Sequence, residues 1–201
     1  MYICPPTPTA PTNNQNPSED GLWEGRRGFF PAAADPPCEI KKGRTIMAIR
    51  TIVKDNDTFG TLHKKCRPVT EFNQKLWDLL DDMKETMYAA EGVGLAGPQV
   101  GMLRRVFVID VGEGILEFIN PEIIETSGEQ DGSEGCLSFP GEFAQVKRAN
   151  YVKIRAQDRF GKEFTMEGTE LLARAMQHEN DHLDGVVFKD RASRLLSEDE
   201  L

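Results

Sequence analysis

Apolar residues recur at helical spacing from Phe72 through Leu76, Leu79, Leu80 and Met83 to Met87, which predicts an amphipathic helix of about five turns ending near Gly92, with Thr70 as its cap. The segment EGVGLAGPQVG (91–101) follows, too rich in glycine for a helix or a regular strand, and reads as a shaped loop. RRVFVID (104–110) and ILEFIN (115–120) read as strands. SGEQDGSEG (127–135) reads as a polar turn region before a further strand. YVKIRAQDR (151–159) alternates, with Val152, Ile154 and Ala156 on one face, and Phe164 and Met166 complete a hairpin across Gly161. TELLARAMQHENDHLDG (169–185) returns to helical spacing, with Gly185 at its C-terminal end. Strands follow a helix and precede a helix without βαβ alternation, so the fold class is α+β.

The first 46 residues break from this patterning. They hold eight of the 12 prolines and show no sustained period, which predicts a disordered N-terminal extension. Met47 opens the patterned domain, 47–201, and is read as the physiological start, with 1–46 an upstream over-read. The extension carries five basic and five acidic side chains, so the whole net charge of −9 belongs to residues 47–201. That balance argues against a uniformly basic nucleic-acid surface and predicts no DNA partner. No apolar run approaches the roughly 20 residues that span a bilayer. The opening MYICPPTPTAPTNN has neither a basic n-region nor an apolar h-region. A cytoplasmic protein whose four cysteines are thiols is therefore expected.

The chemistry concentrates in the last helix. His178 and His182 stand four residues apart, which places both imidazoles on one face. They continue a stripe with Leu171 and Ala175, while Glu179 shares the next stripe with Leu172, Met176 and Leu183. Three polar groups therefore interrupt apolar surface, and burying them without partners would cost about 1–3 kcal/mol each. A metal ion would satisfy both imidazoles, and the carboxylate of an H-E-x-x-H pattern is the usual base for a metal-bound water. A catalytic site needs a third protein ligand. Upstream, Cys136 in EGCLS offers a thiolate; downstream, Glu198 and Glu200 lie close to the C-terminus.

GVGLAGPQVG (92–101), EGCLS (134–138) and QHENDHLDG (177–185) resemble the three motifs of the peptide deformylases in order and spacing, a likeness running from about Met47 to Arg191. The resemblance implies mixed and antiparallel strands wrapped around a central C-terminal metal-binding helix. It implies removal of the formyl group from the N-terminal formyl-methionine of nascent polypeptides. The metal ligands it implies are Cys136, His178 and His182, holding Fe²⁺, for which Zn²⁺, Ni²⁺ or Co²⁺ can substitute. Glu179 becomes the acid/base. The Gln99 amide and the Leu137 backbone N–H become donors to the formyl oxygen, and the Gly94 backbone pairs with the substrate. Val93, Leu171 and Ala175 are the candidates for the methionine pocket.

The chain also departs from the family pattern. Gly97 replaces a usual Ala, expected to loosen the loop slightly. Phe143 stands where many relatives carry a substrate-contacting Arg. Arg148 fills a commonly basic position, where an exposed pair with Glu134 would contribute little. RASRLLSEDEL lacks the basic C-terminal helix with which some members dock on the ribosome, so only transient ribosome proximity is expected. Two other readings share parts of the pattern: a small zincin-type endopeptidase, which needs a downstream ligand, and a non-catalytic metal-binding paralogue.

Overall fold

The structure, a computed structural model, describes residues 48–58 and 60–200. The expected N-terminal extension, with Cys4 and Cys38, lies outside the described residues. Helix α1 (Gln74–Ala89) is followed by strands β1 (Gly94–Ala96), β2 (Val106–Ile109), β3 (Leu116–Ser127), β4 (Gln130–Cys136), β5 (Phe139–Arg148), β6 (Tyr151–Gln157) and β7 (Glu163–Thr169). Helix α2 (Glu170–Leu183), a single turn α3 (Phe188–Arg191) and strand β8 (Ala192–Leu196) complete the chain. The strands form two sheets, of order β1-β2-β3-β6-β7 and β4-β5-β8, and every pairing between them is antiparallel. The class is α+β, as the element order predicts.

The continuous apolar run of β2 has a direct cause: both of its faces are covered. Val106 and Val108 turn towards Leu80, Met83 and Met87 of α1. Phe107 and Ile109 turn towards Ala173, Ala175, Met176 and Leu183 of α2, with Phe107 stacked against Phe118 of β3 at 4.7 Å between ring centroids. The larger sheet is thus clamped between the two long helices. The smaller sheet packs its own cluster, Cys136, Phe139, Ala144 and Val146, against Val187 and Phe188.

Four local expectations change. The α1 cap is Asn73, whose side chain accepts from the N–H groups of Lys75 and Leu76, and not Thr70; Phe72 precedes the helix and packs on its cluster. The 91–101 segment contains the short edge strand β1, paired with β2, and a 3-10 turn over Gly97–Val100. The polar stretch 127–135 is mostly strand β4. Its apolar alternation is missing because it meets charge: a Cβ at Gly132 would lie 3.1 Å from the Arg174 guanidinium. The strand read as ending at residue 120 continues to Ser127 through an irregularity at Asn120–Pro121.

Asn120 explains how that strand survives its own kink. Its backbone is left-handed (φ 50°), a region open mainly to Gly, Asn and Asp. Its side chain accepts from Val69 N–H and donates to Val69 C=O, each at 2.8 Å, tying the segment before α1 to the sheet. Asn120→Ala is expected to lower unfolding free energy by about 2 kcal/mol and Asn120→Gly by about 1, because glycine recovers the backbone conformation but neither hydrogen bond. Urea denaturation of both variants checks the order.

Candidate active site

Strand and helix periodicity bring the ligand candidates together. Along β4, Glu134 and Cys136 are two apart and so share a face, which is turned to α2. Along α2, Arg174, His178, Asp181 and His182 fall at intervals of three and four on the side that meets them. The sulfur of Cys136 lies 3.3 Å from His182 Nε2. The candidate ligand atoms of Cys136, His178 and His182 all lie within 4.8 Å of one another, and all three residues are buried. The candidate downstream ligand Glu200 is engaged elsewhere, with Arg194 and Ser197.

A metal ion fits these residues. His178 Nδ1 meets a Glu134 oxygen at 2.9 Å, which leaves Nε2 to face Cys136 and His182. That Nε2 is buried and has no hydrogen-bond partner among the described residues. Metal-bound histidines characteristically give their second nitrogen to a carboxylate in this way. Burial opposes ionisation of the Cys136 thiol, but the neighbouring His182 and His178 imidazoles outweigh it and hold the pKa well below the ordinary thiol value. Burial likewise opposes charge on His178, yet Cys136 and Glu134 push its pKa up to about 9. A thiolate beside two imidazoles is a donor set that suits a divalent cation.

Glu134 carries a role that sequence reasoning missed. It is fully buried and accepts from Arg148 through two bonds, at 2.8 and 2.9 Å, and from Arg174 at 2.8 Å, besides the contact with His178. Arg148 reaches on to Asp181 at 2.5 Å, and Arg191 of α3 closes on the same carboxylate. The expected exposed Glu134–Arg148 pair is therefore a buried network. Burial opposes the charge on Glu134, but hydrogen bonds from Arg148 and His178 prevail and hold its carboxyl well below the usual range. The available signals were the i, i+2 spacing of Glu134 and Cys136, and a lone Arg174 four residues before His178.

The remaining candidates surround this centre. Glu179 is fully buried, and a Cβ at residue 94 would stand 2.4 Å from its Oε1, so Gly94 makes room for the carboxylate. Gln99 is also fully buried. Its Oε1 accepts from Ala96 N–H at 2.8 Å, and its Nε2 points to Cys136 Sγ (3.3 Å) and Ser138 Oγ (3.2 Å). Leu137 follows Cys136 directly, and Lys54 Nζ donates to its carbonyl at 2.6 Å. The segment carrying Lys54 also binds the neighbouring backbone, with Val53 N–H donating to Gln99 C=O and Asp55 N–H to Ser138 C=O.

Gly97 does not loosen its loop: a Cβ there would lie 2.7 Å from the Met102 carbonyl and 2.8 Å from that of Arg104. Val93, Leu171 and Ala175 belong to the one apolar cluster between β2 and α2. They do not line the cavity of about 420 Å³ beside Cys136 and Leu137, whose walls include Ile52, Ala90, Phe139 and Phe143.

A buried thiolate and two imidazoles on an α+β frame, with a carboxylate alongside, define a metal-dependent hydrolase. The profile of the family described as polypeptide deformylase matches residues 49–198. The peptide deformylase of Thermoanaerobacter pseudethanolicus is 56% identical over 154 residues, which span 77% of this chain and 96% of that protein. That of Clostridium botulinum is 54% identical over 148 residues, spanning 74% and 99%. The crystal structure of the Thermotoga maritima peptide deformylase superposes with a TM-score of 0.71 at 42% identity, covering 73% of this chain and 99% of that one. The chain belongs to the polypeptide deformylase family.

Because Glu134 fixes the ring of the candidate ligand His178, Glu134→Ala is expected to lower metal affinity by about 10–100-fold, measured by competition with a chelator. Asp131→Ala, exposed on the same strand, is expected to leave it unchanged.

Proposed function

We propose that this chain hydrolyses the formamide of N-terminal formyl-methionine on nascent polypeptides, releasing formate and a free amine. The observation that carries this reading is the meeting of Cys136, His178 and His182 within 4.8 Å. We assign Fe²⁺ as the ion at these three residues, with Zn²⁺, Ni²⁺ or Co²⁺ able to substitute; one thiolate and two imidazoles accommodate any of these. When bound, the ion supplies a water acidic enough to ionise near neutral pH and a positive charge beside the reacting carbonyl.

The chain's own groups do the rest. Glu179 takes the proton from the attacking water and later delivers it to the departing nitrogen, so the C–N bond breaks as the amine is protonated. The Gln99 amide has its oxygen committed to Ala96 N–H, which turns Nε2 towards Cys136 and Ser138; substrate exchanges one of these contacts for donation to the formyl oxygen. Leu137 N–H is the second donor, and such donors matter most when charge develops on that oxygen. Gly94 lies in edge strand β1, where an extended peptide can align by backbone hydrogen bonding. Val93, Leu171 and Ala175 receive the methionine side chain; their membership of one apolar cluster supports this.

Nascent chains as substrate imply a cytoplasmic protein that meets ribosomes transiently and has no DNA partner. Among the described residues no helix is long and apolar enough to cross a membrane.

Formate release from a formyl-methionyl peptide, measured anaerobically with metal analysis of the same sample, tests the reading. Glu179→Ala is expected to retain metal and lose about 10²–10⁴ in kcat; full turnover in that variant refutes the mechanism. Gln99→Ala is expected to lose about 10²–10³. Gly94→Ala, which displaces Glu179, is expected to keep metal and lose kcat, and unchanged kinetics there would show that the carboxylate does not need the space.

A further inference from the structure

The molecule is acidic overall, with a net charge of −9, yet one concave surface gathers cations. Lys64, Lys65, Arg67 and Arg104 line a groove of about 640 Å³, and all four are exposed. The backbone holds them in place. Arg67 N–H donates to Leu103 C=O at 3.1 Å and Arg105 N–H to Arg67 C=O at 2.9 Å, so Arg67 and Arg104 are partners across a parallel bridge. Bridge partners project their side chains to the same side, and like charges placed so are destabilising.

Among the described residues, no ion pair relieves the repulsion between Arg67 and Arg104. Among the described residues, Lys64, Arg67 and Arg104 make no ion pair, whereas Arg155, Arg159 and Arg191 are all paired. Lys65 has only Asp184 at 4.0 Å, and that carboxylate lies closer to Arg105, at 2.8 Å. Four exposed cations on a bridged backbone, three of them without an ion pair among the described residues, form a site for an external polyanion. Two guanidiniums side by side offer paired donors to phosphate oxygens, and the flanking ammonium groups add point charges.

We propose that the groove of Lys64, Lys65, Arg67 and Arg104 docks RNA through its sugar–phosphate backbone, without reading bases. The choice of RNA among polyanions rests on the function proposed above, because nascent chains are presented on an RNA-rich particle. The groove also lies close to Gln99 along the chain, with four residues between Gln99 and Arg104. RNA held there would tether the enzyme near its substrates while leaving the chemistry untouched.

The test is fluorescence anisotropy with a labelled RNA hairpin, titrated with the full chain from about 50 to 200 mM salt. Binding is expected to weaken steeply with salt. Substituting Lys64→Gln, Arg67→Gln and Arg104→Gln together is expected to lower affinity at least tenfold and to reduce the log–log salt slope by about two to three, roughly one per phosphate contact. Changing Lys147, Lys153 and Arg155 to Gln instead is expected to leave RNA binding close to wild type. Formate release from a short formyl peptide is expected to be unchanged in both triple variants. No salt-dependent RNA binding, equal binding by the groove variant, or tighter binding to phosphatidylglycerol vesicles than to RNA would each overturn the proposal. Groove-dependent RNA binding in a chain that releases no formate would sustain the docking surface and refute the hydrolytic reading.

Discussion

A carboxylate sealed from water must be surrounded by donors, and Glu134 is the point from which the rest of this structure follows. Four bonds from Arg148, Arg174 and His178 converge on its two oxygens. Removing one member of such a buried set strands charge, at a cost of about 3–5 kcal/mol, well above that of an exposed pair. The donors come from β5 and from two successive turns of α2, and Asp181 extends the set to α3. The smaller sheet is thereby locked to the helix that carries the histidines. The same bonds fix which nitrogen of His178 faces Cys136.

That lock divides the labour between the two sheets. The five-stranded sheet, clamped between α1 and α2, brings β1 and the following turn to the centre, and with them Gly94 and Gln99. The three-stranded sheet brings Cys136 and Leu137 at the end of β4. Neither sheet holds a complete site. The segment at Val53–Asp55 spans the seam, bonding Gln99 on one side and Leu137 and Ser138 on the other. Donors to a developing oxyanion act through position, and these bonds fix Gln99 and Leu137 relative to each other across the seam.

What could be read in advance follows from which surfaces meet apolar neighbours. Helix α2 and strands β2, β6 and β7 were legible because their patterns record apolar burial. His178 and His182 were legible because they interrupt such a pattern at a spacing that suits a shared ligand. Strand β4 was not, because its partners are charged: Gly132 leaves space for Arg174 and Glu134 answers two arginines, so its periodicity is electrostatic. The cap of α1 was misplaced by three residues because Phe72 packs on the helix cluster without being helical.

Gly97 shows why composition alone misjudges a loop. Glycine raises the entropy of the unfolded chain, so a glycine for an alanine ordinarily loosens and destabilises. Here the missing methyl is the space through which the carbonyls of Met102 and Arg104 pass. Met102 N–H and Gly101 N–H return to the carbonyls of Gly97 and Pro98, at 2.9 and 3.0 Å, so the chain closes on the turn it has just left. Gln99 lies inside that closure, with both ends of its amide engaged. The residue that costs entropy is thus the one across which the backbone packs closely in this chain, and the glycine tightens the turn around Gln99 instead of loosening it.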